Sequence, residues 1–326
     1  MSPSAARSTA PLPRGRLGLV IGAAIVAGGL AAFLWPRGGA RGPEGAEDPF
    51  RFAPPESRPV GAPIPLRSTL AAGQRFAGTG TISYRQSGGG RYGGLPLVPT
   101  RLVRGTFTFV RRVEGGSGAP LRSTIEAKVS FTDASDHGAP VPGEAVVTLQ
   151  FEHGRVDTSS LPSTKLSAPA DLRPALVTLE EAFTQRTPLV GLDPREGETF
   201  VPEAAMDVEP LRRQAFKLFN FNEQGIAPVE GVVWLDRVAG RGASAEAVVV
   251  AWIRHAQAGR SSSPKKALVT TEYETVVRGR YEVGVADGLA HRAELSEAVR
   301  TRYRSDAFDY HAEIERSVTF DEALSD

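Results

Sequence analysis

Between Leu121 and Thr132 the chain alternates. Leu121, Ile125, Ala127, Val129 and Phe131 fall on one parity; Arg122, Thr124, Glu126, Lys128 and Ser130 fall on the other. Successive strand side chains point to opposite faces, so this pattern predicts a strand with one buried and one wetted face. The alternation recurs in Glu144–His153 through Ala145, Val147, Leu149 and Phe151. It recurs again in Phe308–Phe320 through Phe308, Tyr310, Ala312, Ile314, Val318 and Phe320. Thr106–Val113 and Gly78–Tyr84 are shorter strand candidates. Ser244–His255 is apolar on both parities, Ala247, Val249 and Ile253 against Val248, Val250 and Trp252, which predicts a strand covered on both sides.

The stretch Ala267–Tyr303 reads as a long hairpin around Asp287-Gly288. A two-residue loop would set Val283 against Arg292 and Tyr281 against Glu294. A three-residue loop, Ala286-Asp287-Gly288 with Gly288 left-handed, pairs Val285 with Leu289, Tyr281 with Ala293 and Thr275 with Val299. This register gathers the apolar residues of both strands on one face. Two blemishes remain: His291 opposite Val283, and Glu297 opposite Val277.

Only one segment has a convincing helical period. Leu172, Leu176, Leu179 and Phe183 form a single stripe, with Asp171 placed to cap the helix and Pro174 in its first turn. The spacing predicts a helix near 171–187, ending before Pro188 and packed on the apolar sheet face. Asp207–Gln214 adds a short helical candidate. The fold class expected is therefore mainly β (α+β): a curved antiparallel sheet packed on one main helix, folded over residues 67–326.

The N-terminal part follows other rules. Leu17 to Trp35 is nineteen residues without a charge. At about 1.5 Å per residue that is roughly 28 Å of helix, close to the hydrocarbon thickness of a bilayer. A cleaved secretory signal usually has a shorter apolar stretch and a small-residue cleavage site. Gly38-Gly39-Ala40 is a weak site of that kind, but it lies past Trp35, a residue type that settles at the membrane interface. The expected reading is a retained transmembrane signal anchor over 17–35, with cleavage as the alternative. Arg7, Arg14 and Arg16 precede the run and no acid does. Positive-inside orientation then makes 1–16 a short cytoplasmic tail and exports the rest, placing the protein in a bacterial inner membrane with a periplasmic domain. Leu30-Ala31-Ala32 looks like the start of a lipoprotein signal, but Phe33 stands where such a signal needs Cys. Residues 36–66 hold eight Pro and five Gly without periodicity and read as a linker.

Composition narrows the function. Of 38 basic residues, five lie in 1–41 with no acid, leaving 33 basic against 37 acidic in the remainder. That balance argues against a nucleic-acid surface. Zero Cys removes disulfides, thiolate metal sites and Cys nucleophiles together.

Candidate chemistry is sparse. The five His form no H-E-x-x-H spacing. Asp133, Asp136 and His137 share a polar loop. Asp309, His311, Glu313 and Glu315 share the wet parity of the last strand, where a metal site would need ligands from other strands. Asp193, Glu196 and Glu198 surround a turn built on Pro194. No G-x-S-x-G occurs, and the Gly-rich Ser87–Gly94 lacks a P-loop ending and reads as a strand connection. No catalytic, cofactor or metal residue is assigned. The remaining site is an apolar pocket of Leu176, Leu179, Phe183, Trp234 and Trp252, weighed against plain core packing.

Two stretches carry a resemblance. One is the helix followed by Pro188-Leu189-Val190 and Glu196-Gly197-Glu198-Thr199-Phe200; the other is Gly279-Arg280-Tyr281 with Asp287-Gly288-Leu289. Together they resemble uncharacterised exported bacterial β-rich proteins, many of them lipoproteins, which are distantly similar to the carriers of outer-membrane lipoproteins. The resemblance implies a sheet wrapped over a helix with an apolar ligand cavity, and no catalytic residue. The expected function is a membrane-anchored, non-catalytic envelope module that binds a protein or supports an assembly. The alternative is a carrier or sensor of an apolar ligand, a lipid or lipoprotein, held between sheet and helix.

Overall fold

The computed structural model describes residues 50, 58–92, 95–96, 101–115, 121–133, 144–152, 163–167, 173–184, 187–219, 225–240, 242–262, 268–306 and 308–325. The tail 1–16, the apolar run 17–35 and most of the linker lie outside these residues, as do Asp136, His137, Asp171 and Leu172. Among the described residues no helix is long and apolar enough to cross a membrane.

The strands are β1 (Arg75–Tyr92), β2 (Leu95–Pro96), β3 (Arg101–Glu114), β4 (Arg122–Asp133), β5 (Glu144–Glu152), β6 (Ser163–Ser167), β7 (Thr199–Phe200), β8 (Glu230–Ala239), β9 (Glu246–Ser262), β10 (Leu268–Gly284), β11 (Ala290–Arg304) and β12 (Phe308–Leu324). Among the described residues the α-helices are α1 (Arg173–Thr184), α2 (Pro202–Ala205) and α3 (Glu209–Phe219). All twelve strands form one open sheet in the order β6-β5-β4-β3-β1-β12-β11-β10-β9-β8-β7, with β2 paired to β1. The pairs along the path are antiparallel. The mainly β class is thus as expected, and α1 packs on the apolar face; α3, eleven residues against the twelve of α1, is a second helix of similar length where only a short candidate over 207–214 was expected. The Gly-rich Ser87–Gly94 differs: β1 includes its residues Ser87–Tyr92, with Gly88 against Ala312 and Gly90 against Tyr310. A side chain on either glycine would strike the backbone of β12.

The inner face is the parity that meets α1. Leu176 and Leu179 of α1 are fully buried, and Phe183 is 4 % exposed. The Phe183 ring lies 4.7 Å from Phe109, 5.4 Å from Phe320 and 5.9 Å from Phe107, all aromatic contact distances. Phe109 also meets Phe320 edge-on at 6.0 Å, although β1 separates β3 from β12. Gly80 and Gly78 of β1 make this reach available. They pair with Phe107 and Phe109, and a Cβ on either would sit 2.3 to 2.5 Å from those rings. Two missing side chains let one strand's rings lie over its neighbour.

The long hairpin takes the expected register over most of its length. Tyr281 pairs with Ala293, Val277 with Glu297 and Thr275 with Val299, and Gly288 is left-handed at φ 67°. Near the tip it departs. The register shifts between Glu282 and Val283, so Val283 meets Ala290 and not His291. The amide of Gly284 donates to Leu289 at 2.9 Å, where the expected loop had put Val285. A bulge of this kind re-aims one side chain, and here it takes His291 out of opposition to a valine.

The folded part also starts earlier than Arg67. Residues 60–66 run alongside 192–196: the amides of Val60, Ile64 and Leu66 donate to the carbonyls of Glu196, Pro194 and Leu192. Leu66 is completely buried. In place of the expected turn with Pro194 at its second position, a turn closes over Arg195–Glu198, where the Glu198 amide donates to the Arg195 carbonyl at 3.0 Å and Gly197 takes φ 72°. The acids around it serve as braces. Asp193 pairs with Arg67 at 2.6 Å, Glu196 accepts the Val238 amide at 2.6 Å, and Glu198 accepts the Arg195 amide at 2.8 Å.

Candidate functional site

The expected pocket does not assemble. Leu176, Leu179 and Phe183 meet on the inner face, where the aromatic rings fill the space beneath them. Trp234 pairs with Val250, and Trp252 with Val232. Trp234 stands between Val233 and Leu235, and Trp252 between Ala251 and Ile253, all inner-face residues that are buried. Strand alternation therefore turns both tryptophans to the outer face. Five apolar residues that composition grouped are divided between two sides of one sheet.

Polar groups break the inner face in two places, and each place contains one of the hairpin's blemishes. The first is Glu297. It faces Arg316 of β12 in register, and the guanidinium holds it through Nε at 2.6 Å and through a second contact from Nη2. The Arg316 side chain is 9 % exposed and that of Glu297 12 %. Thr275 donates its hydroxyl to the same carboxylate at 3.1 Å. Arg316 also reaches Glu181 of α1 at 2.7 Å, which ties the helix to the sheet by charge. Burial opposes the Arg316 charge, but the Glu297 and Glu181 carboxylates outweigh it and hold its pKa above the ordinary value. Beside this group, Tyr273 is 3 % exposed, and burial pushes its phenol pKa up.

His255 lies one strand further, opposite Thr275, and is fully buried. Burial lowers its pKa, which keeps the ring neutral. Its Nε2 donates to the Ala227 carbonyl at 3.0 Å, so the loop after α3 closes over it. Gln257 fastens the same loop by accepting the Ala227 amide at 2.6 Å.

The second break lies at the opposite ends of the strands. Arg111 of β3 and Glu322 of β12 meet across β1 at 3.3 Å, with side chains 9 % and 2 % exposed. Neither Glu322 oxygen has a hydrogen bond of good geometry. Burial raises its pKa, with Arg111 and His291 pulling the other way. His291, re-aimed by the bulge, binds Asp287 at 2.9 Å. That bond raises the His291 pKa against its burial. The Asp287 pKa ends below the ordinary range, because the His291 bond and the Leu289 amide outweigh its own burial. The turn carrying Asp287 also takes a hydrogen bond from the Thr69 amide at 2.9 Å, so the tip of the hairpin pins the segment leading into β1.

The outer face is charged in a different way. Glu230, Arg254, Glu274, Arg300 and Glu313 form an alternating ladder across β8 to β12, with successive separations of 3.4, 2.8, 3.8 and 3.0 Å. The wet-face acids of β12 thus meet arginines: Asp309 pairs with Arg302 at 2.9 Å, and Glu315 faces Arg85 at 3.9 Å. No group of three His, Asp or Glu in metal-holding geometry occurs among the described residues. Two open depressions mark this face. One of about 350 Å³ has Trp252, Arg278 and Arg280 beside small Ser296, Ser317 and Thr319. The other, of about 730 Å³, is bounded by Arg254, Glu274, Arg300, Arg302, His311 and Glu313.

Arg316 and Glu322 were absent from the candidates read in sequence. Their signal was parity: each sits at an even position of β12, among Val318 and Phe320, where the pattern calls for an apolar residue.

No family model matches this chain, and no curated protein matches it. Among solved structures, one similar chain is the crystal structure of an outer membrane channel from Pseudomonas putida F1. It is 7% identical, covers 78% of this chain and 97% of the channel, and has a TM-score of 0.21. At that score the likeness carries no argument about fold or activity.

Proposed function

We propose that this protein is a membrane-anchored module of the bacterial cell envelope whose exported β domain binds a partner without catalysing a reaction. One observation carries this reading: the sheet's inner face is occupied by its own helix, with Leu176 and Leu179 fully buried and Phe183 wedged among three other rings. A carrier of an apolar ligand needs open apolar volume of some hundreds of Å³ at that place. Packing of this density favours a binding module over a carrier. The buried polar groups support the same reading. Arg316 joins β11, β12 and α1, and Arg111 joins β3 to β12, so their charges are spent on holding elements together. Partner contact falls to the outer face, where the two depressions lie. The anchor is the run 17–35.

Native mass spectrometry of the detergent-extracted full chain tests this. The expected result is a protein adduct, or the chain alone, at an intact mass that retains residues 1–40. A stoichiometric lipid would overturn the reading in favour of the carrier, and loss of residues 1–40 would remove the anchor.

A further inference from the structure

Cross-strand register lays out the smaller outer-face depression in two rows. One reads Trp252 of β9, Arg278 of β10, Ser296 of β11, Ser317 of β12 and Ser83 of β1. The next reads Val250, Arg280, Glu294, Thr319 and Thr81 in the same strand order. Side chains at matched register stand side by side on one face. The short hydroxyl residues therefore form a trough, and Arg278 and Arg280 wall it on one side. The depression of about 350 Å³ lies there, within the lower range of small-ligand sites. Its hydroxyls are linked between strands: Ser317 meets Ser83, and Thr319 meets Thr81, each at 2.8 Å. Each such pair keeps one proton to give and lone pairs to accept.

The charge in this trough is unbalanced, unlike the ladder on the same face. Two arginines line it against one acid. That acid, Glu294, stands opposite Arg280 in register but pairs with Arg292 at 3.5 Å. Arg280 is left without an ion pair among the described residues. A guanidinium presents a flat fork of donors that fits a carboxylate through two parallel bonds. Trp252, half-buried beside Arg278, brings a broad apolar ring to the end of the same row.

We infer that this depression is a binding site for a saccharide that carries a carboxylate. The carboxylate goes to Arg280 and Arg278. The sugar hydroxyls, which donate and accept alike, meet Ser296, Ser317 and Thr319. The apolar C–H face of a sugar ring lies against Trp252. Other occupants match less of the site. A lipid chain would lie on hydroxyls and cations, and a bare inorganic anion would use the arginines and leave the rest of the trough idle. Like the proposed function, this site depends on the outer face being the one that meets partners.

The test titrates the full chain, held in a detergent without a sugar head group, with trigalacturonate at low salt and follows binding by isothermal titration calorimetry. The expected result is saturable binding. The neutral galactose trimer should bind about ten-fold more weakly or worse, and citrate at the same concentration should not displace the acidic trimer. Arg280→Gln should weaken binding about ten-fold or more, because a charge-assisted bond is lost. Ser296→Leu fills the trough from an exposed position and should abolish binding, with circular dichroism checking that the sheet persists in both variants. No binding, equal binding of the neutral trimer, displacement by citrate, or binding unmoved by either substitution in a folded sheet would each overturn the proposal. A protein adduct in the native mass spectrum would still support the binding module in any of those cases, so the two readings fail separately.

Discussion

Replacing Arg111 by methionine would leave Glu322 alone in the core. The pair is 3.3 Å apart with side chains 9 % and 2 % exposed, and removing one partner of a buried ion pair usually costs about 3–5 kcal/mol. The carboxyl can escape part of that cost by taking a proton. Holding a proton at pH 7 on a group whose ordinary pKa is about 4.3 costs roughly 3.7 kcal/mol, at about 1.36 kcal/mol per unit. The penalty of Arg111→Met is therefore capped near that figure at neutral pH, and it must depend on pH. The sign follows from linkage. In the variant the folded state keeps a proton that the unfolded state loses, so stability falls as pH rises. In the parent the Glu322 pKa is also raised, so its own contribution is present below the ordinary carboxylate pKa and fades as pH climbs through the folded value. Above that value the parent is flat in this group, while the variant loses about 1.4 kcal/mol per pH unit. Urea unfolding of the full chain in mild detergent, followed by circular dichroism from pH 5 to 8, measures the difference. The double substitution Arg111→Met with Glu322→Leu should recover most of the loss, because an apolar pair of similar volume replaces both charges. A penalty equal at pH 5 and pH 8, or a double variant no better than the single one, would refute the reasoning.

Arg316→Met should cost about 3–5 kcal/mol by stranding Glu297, and hydrogen exchange should show α1 losing protection before the sheet, since Arg316 is the ionic link to Glu181. Gly80→Val should destabilise by about 3 kcal/mol or more, because its side chain would meet Phe107 and the Thr319 carbonyl within 2.3 Å; a circular-dichroism melt reads this directly. NMR titration should find His291 above and Asp287 below their ordinary pKa values. The stability from His291 is complete below about pH 6.5 and lost as pH rises through its raised value; that from Asp287 is present above about pH 3.9 and lost as pH falls through its lowered value. His291→Gln should flatten the alkaline limb.

Local rules read the strands well where one face is wet. The alternation in 121–132, 144–153 and 308–320 located β4, β5 and β12, because burial on one side leaves a period in the chain. The hairpin register was legible from Thr275 against Val299 to Tyr281 against Ala293, and failed only at the bulge after Glu282. The short edge strands β6 and β7 were not, since few residues pair there and little alternation builds up. The pocket was misread for a reason of scale. Trp234 and Trp252 are apolar like Leu176, and only the parity of Val233, Leu235, Ala251 and Ile253 around them says that they face away from it. The polar clusters were half visible. Glu297 and His291 stood out as blemishes, but their resolution lay in Arg316 on a different strand and in a bulge that no local rule places.

The pairing of β1 with β12 joins the two halves of the sheet, from Phe76 against Leu324 to Tyr92 against Phe308. In time as well as space, the strand of this sheet that is made last is the one that joins its two halves. Until residues 308–324 are available, β1 has an open edge and the rings of Phe107 and Phe109 lack Phe320 to close on. Contacts of such sequence separation are slow to form and leave strand edges exposed meanwhile. A nascent chain must therefore be kept from aggregating until β12 has emerged, and deleting β12 would abolish the joint on which both halves depend.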